Sequence, residues 1–135
     1  MTPGKIYLAS AFERADEMRG ARDVLVALGC QVTSRWLEEA SGDGLGAGDL
    51  TSNPERGTLY AETDLADIRA ADTVVSFTGQ SARGGRHVEF GVAIALGKHL
   101  VLVGPREHVF HTLPAIEWYP DWSRLVMVLS RAVRA

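Results

Sequence analysis

The sequence alternates short apolar, β-rich runs with longer stretches in which apolar residues recur every three or four positions, an order that few folds accommodate. The run Lys5–Ala9 (KIYLA) is followed by helical spacing at Ala15, Met18, Ala21, Leu25 and Leu28, which Gly29 stops in the manner of a C-terminal cap. Residues 30–36 resemble a second strand. Residues 41–57 turn to Gly, Ser, Asp, Asn and Pro without periodicity and read as a long loop. A helix is predicted over 58–71, with Leu65 and Ile68 on one face. A buried strand follows over 72–77 and a polar, glycine-containing turn over 78–86. That turn opens a third helix running to Gly97, with Val88, Val92, Ala95 and Leu96 as its apolar stripe. Residues 100–103 form the next strand, and 122–133 a closing helix with Asp121 as N-cap. This alternation predicts a three-layer α/β fold with a mainly parallel sheet, filling one domain over 1–135.

Composition narrows the function. Seventeen acidic against fourteen basic side chains give a net charge of −3, which argues against a broad nucleic-acid surface held by phosphate neutralisation. The single cysteine, Cys30, makes no internal disulfide and fits a reducing compartment. No signal-peptide pattern opens the chain, and no apolar run approaches the roughly 20 residues that span a bilayer, so the expectation is a cytoplasmic protein without membrane contact.

Ligands of parallel sheets bind beyond the carboxyl ends of the strands. That rule nominates the turn after Ala9, with Ser10 and Phe12, the turn after Phe77 and the turn after Val103. The Phe77 turn is chemically richest, because Ser81, Arg83, Gly84, Gly85, Arg86 and His87 converge on one helix start. Backbone N–H groups there, approached closely across the glycines, make an anion cradle that two arginines strengthen. A solvated, flexible Gly-Gly connection explains the same residues, and no Gly-Lys-Ser/Thr follows to make a triphosphate loop. Glu89 lies in the first turn of the same helix, where the helix dipole and the arginines favour its ionised form. With a second carboxylate such as Asp64 it would suit chemistry at an anomeric carbon, one group attacking C1′ while the other handles the proton of the departing group. Glu89 reads equally as a favourable surface charge near a helix start. Trp118, Tyr119 and Trp122 read as packing or as a base-stacking surface. His108 and His111 sit three apart without a third ligand in register, so no metal and no cofactor are expected.

Three segments together resemble the signature regions of the nucleoside 2-deoxyribosyltransferase family: KIYLAS at 5–10, DLADIRAADTVV at 64–75 and GRHVEFGVAIALGK at 85–98. The family resemblance implies a flavodoxin-like (Rossmann-like) α/β fold. It implies Glu89 as a nucleophile forming a covalent glycosyl intermediate, Asp64 assisting protonation of the leaving base, and Tyr7 positioning the nucleophile. Base-exchanging transferases and nucleoside 5′-monophosphate N-glycosidases both belong to this family. The transferases carry an aspartate where this sequence has Arg83, and an asparagine near the C-terminus that is missing from 125–135. Both departures favour the hydrolases, and a guanidinium suits a 5′-phosphate. The expected substrate is a small nucleoside or nucleotide, with base-exchanging transfer and a non-catalytic nucleotide-binding module as alternatives. By resemblance, the chain forms a homodimer or larger homo-oligomer with shared sites.

Overall fold

The computed structural model describes residues 1–39, 47–79 and 84–134. Five parallel strands run in the order β2-β1-β3-β4-β5: β1 Lys5–Ala9, β2 Gln31–Val32, β3 Thr73–Phe77, β4 His99–Val103 and β5 Glu117–Tyr119. The helices are α1 Ala15–Ala27, α2 Trp36–Glu39, α3 Ala47–Ser52, α4 Pro54–Ala70, α5 Gly85–Ala95 and α6 Trp122–Arg134. This is the three-layer α/β architecture expected from the alternation, in the flavodoxin-like form that the resemblance implies.

The three central strands are apolar along their length because helices cover both faces of the sheet. Ile6 and Leu8 of β1 pack with Met18, Leu25, Val75, Phe77, Leu125 and Leu129, beneath α1 and α6. Tyr7 and Ala9 point the other way, joining Ile68, Val74, Phe90 and Ala93 beneath α4 and α5. This period-2 alternation is what delivers Tyr7 to the α4–α5 side. The strand order reverses direction between β1 and β3, so their carboxyl ends at Ala9 and Phe77 flank the crevice where such sheets bind ligands.

Several elements depart from the sequence reading. The second strand is only Gln31–Val32. Beyond it, the Asp67 carboxylate accepts the Arg35 N–H at 2.9 Å and Trp36 opens α2, its indole N–H donating to Leu8 O at 2.9 Å. The expected loop over 41–57 holds helix α3 and the start of α4, while 41–46 lie outside the described residues. Pro54 belongs inside α4, since proline at the first helical position loses no hydrogen bond. On α5 the buried residues are Arg86, Phe90 and Ala93, whereas Val88 is 66% exposed and Leu96 also faces solvent. The large Phe90 ring decides which face meets the sheet. Strand β5, unforeseen between the predicted strand at 100–103 and the closing helix, pairs Val101–Val103 with Glu117–Tyr119. Asp121 caps α6 as expected, accepting the Arg124 N–H at 2.9 Å.

The carboxyl ends of β3 and β4 touch at Gly104. Its φ is +115°, and a Cβ there would lie 2.7 Å from Thr78 Oγ1 and 2.8 Å from Thr78 O. Gly104→Ala is therefore expected to destabilise the fold by about 1–3 kcal/mol through backbone strain, and more if Thr78 cannot yield. Urea denaturation should show a lower midpoint, and an unchanged midpoint would refute this packing.

Candidate functional site

The α4–α5 side of the sheet gathers three of the residues named from the sequence. Tyr7 is wholly buried on β1, and its hydroxyl donates a hydrogen bond to Glu89 Oε2 on α5. Asp64 lies half-buried on α4, close enough that its charge acts on both. Burial pushes the Glu89 carboxyl up to about 8; the Asp64 charge adds to the rise, and the Tyr7 hydrogen bond opposes it. Burial, followed by the charges of Glu89 and Asp64, raises the Tyr7 phenol well above its ordinary value.

This corrects the expectation that the helix start and the arginines keep Glu89 ionised. Helix α5 begins at Gly85, so Glu89 stands beyond the first turn, where the dipole has faded. Of the two arginines in the turn, Arg86 is also engaged elsewhere: it is 4% exposed and its Nη2 donates to Glu107 Oε1 at 2.7 Å.

Asp67, one turn after Asp64 on the same predicted helix and given no role from the sequence, is buried near Tyr7. Arg35 holds both of its oxygens, through N–H to Oδ2 at 2.9 Å and Nε to Oδ1 at 2.8 Å. Its spacing of three from Asp64 was the available signal, since it puts the two carboxylates on neighbouring positions of one helix face.

The other sequence-named residues scatter around this centre. Ser10 is half-buried at the end of β1, its hydroxyl donating to Ala11 O at 2.9 Å. The Phe12 ring sits 6.2 Å from that of Trp36. Gly84 caps α5 with φ +95°, a left-handed turn that places the first amides of the helix at its open end. Gly85 is exposed beside it. Ser81 and Arg83 lie outside the described residues.

His87 turns toward the segment after β4, its Nδ1 lying 3.2 Å from His108 Nε2. Burial lowers the His87 pKa, with the neighbouring Arg86 and His108 charges adding to that and outweighing Glu107. Burial likewise lowers His111, to about 4. The third histidine that the sequence register lacked thus comes from 21 residues upstream of His108, across the fold. Trp118 is 40% exposed; its indole N–H donates to Gly104 O at 2.7 Å and the Arg106 guanidinium lies 4.4 Å over its ring. Trp122 packs 5.7 Å from Phe77, and the Tyr119 hydroxyl donates to Glu117. Among the described residues no helix is long and apolar enough to cross a membrane.

No family model matches the sequence, and a search of curated proteins gives no match either. Among solved structures, the chain is similar to the CMP N-glycosidase BcmB of Clostridium botulinum. The TM-score is 0.56 at 20% identity, and the match covers 92% of this chain and 96% of that one. At that identity the likeness establishes the shared fold.

Proposed function

We propose that the protein cleaves the N-glycosidic bond of 2′-deoxynucleoside 5′-monophosphates or related nucleotides and releases the free base. The convergence of Tyr7, Glu89 and Asp64 on the α4–α5 side of the sheet carries this reading. It is supported by the likeness to a fold that also serves a CMP N-glycosidase. Glu89 Oε attacks C1′ as the C1′–N bond breaks, and the departing base takes the bonding electrons together with a proton supplied by Asp64. Water then attacks C1′ of the glycosyl ester and gives a proton to the Asp64 carboxylate, returning Glu89 as a carboxylate, Asp64 as the acid and the sugar phosphate as product. The negative charge of Asp64 disfavours a second carboxylate beside it, so the pair holds one proton; burial favours it on Glu89 in the free enzyme, and it passes to Asp64 before attack, leaving Glu89 the anion and Asp64 the acid.

Tyr7 positions Glu89 and stabilises its charge. Tyr7→Phe removes one hydrogen bond to a charged group and is expected to lower kcat/KM by about 1.5–3 kcal/mol, roughly 10–150-fold. Steady-state kinetics with thermal melts of both proteins separates this from loss of fold.

The 5′-phosphate is assigned to the glycine turn at Gly84 and Gly85, with Arg83 and Ser81 of the same turn and Ser10 and Phe12 on the sugar side. Chromatography of a panel of nucleosides and their 5′-monophosphates, ribose and deoxyribose forms alike, tests the substrate class. Free base should come from monophosphates and far more slowly from nucleosides. Release from no member of the panel would overturn the reading. A homodimer is proposed alongside it, supported by the exposed apolar Leu59 on α4 and Val88 on α5, close to the proposed site. A cytoplasmic location is proposed from the single, buried Cys30.

A further inference from the structure

His87, His108 and His111 come from two separate parts of the chain, the first turn of α5 and the segment after β4, yet they offer one ring nitrogen each within 4.8 Å of one another. The 3.2 Å between His87 Nδ1 and His108 Nε2 is close to the edge of a tetrahedron built on metal–nitrogen bonds of 2.0–2.1 Å, about 3.3 Å. A second observation is independent of that spacing. His111 is 1% exposed, and its Nε2 has no hydrogen-bond partner among the described residues. Buried ring nitrogens are ordinarily paired, so the cluster holds binding capacity that these residues leave unused.

We infer that His87, His108 and His111 form a binding site for a divalent transition-metal ion of the zinc, cobalt or nickel class. Three imidazoles select such an ion over magnesium or calcium, which prefer oxygen ligands, and they leave a fourth position for water. Glu107 stands where an outer carboxylate for a metal-bound histidine would stand: its Oε1 lies 3.7 Å from His87 Nε2, beyond hydrogen-bond distance, and is held by Arg86.

Binding has a structural consequence at Glu107. Its backbone N–H donates to His111 Nδ1 at 2.9 Å, so neutral His111 carries its proton on Nε2. Ligation through Nε2 moves that proton to Nδ1, with no net release, and the Glu107 N–H must turn away. The ion would thereby tie the head of α5, two residues before Glu89, to the segment following β4. His87 is reassigned from substrate contact to this site.

Titration of the metal-free full chain with Co²⁺, followed by visible d–d absorption, tests this without any turnover, so its outcome is separate from that of the glycosidase reading. One Co²⁺ per chain should bind, with Zn²⁺ but not Mg²⁺ displacing it. His108→Gln, chosen because His108 is less buried than His111, should weaken binding by about tenfold or more. His87→Gln provides the same test if the first variant does not fold. Absence of a stoichiometric Co²⁺ spectrum, or equal affinity in a folded histidine variant, would overturn the site.

Discussion

Glu89→Gln is expected to lower kcat for base release by about 10⁴-fold, the scale of losing a group on which the chemical step depends, or about 5.5 kcal/mol of barrier. The amide has nearly the shape of the carboxyl, and its oxygen can still accept the Tyr7 hydroxyl, so the fold and the Tyr7 contact should survive. What disappears is the anionic oxygen that attacks C1′. Nucleotide binding by calorimetry should therefore stay close to that of the parent while chromatography shows almost no free base. Undiminished base release would remove Glu89 from the chemistry, whatever its hydrogen bond to Tyr7.

Asp64→Asn should cost about 10²–10⁴-fold, the usual worth of a positioned general acid. Its signature lies in the dependence on the leaving group. A base that departs readily as an anion needs little protonation, so the variant should lose least on such substrates and most on poor leaving groups. Asp64 also raises the energy of a charged Glu89, and the variant removes that repulsion. If Asp64 acted only through that charge, the substitution would change all substrates alike. A loss independent of the leaving base would thus contradict proton donation and leave Asp64 an electrostatic neighbour.

Much of the fold was legible because a parallel sheet writes itself into local patterns. Lys5–Ala9, Thr73–Phe77 and His99–Val103 are near-continuous apolar runs, as strands covered on both faces must be. Helix α1 shows its buried face at Ala15, Met18, Ala21 and Leu25. Errors arose where distant partners overrode local preference. Arg35 leaves the strand path because Asp67, 32 residues away, binds its backbone and side chain. Helix α5 has apolar residues on two faces, and the sheet takes the one with Phe90, burying Arg86 in the process.

The candidate site divides along the same line. The identities of Tyr7, Asp64 and Glu89 came from matching segments, but the protonation of Glu89 depends on burial, which spacing along a chain cannot express. The histidine cluster was invisible for a related reason: His87 meets His108 and His111 only once α5 packs beside the segment after β4. Glu107, which holds Arg86 and lies 3.7 Å from His87, gave no local signal.

The central claim is that Glu89 becomes covalently glycosylated during turnover. Rapid acid quenching during turnover of a 2′-deoxynucleoside 5′-monophosphate, followed by peptide mass spectrometry, examines it directly. The account predicts a deoxyribose 5-phosphate adduct on the peptide containing Glu89, absent from Glu89→Gln and lost as substrate is consumed. Steady release of base with the adduct on another residue, or with Glu89→Gln as active as the parent, would contradict it.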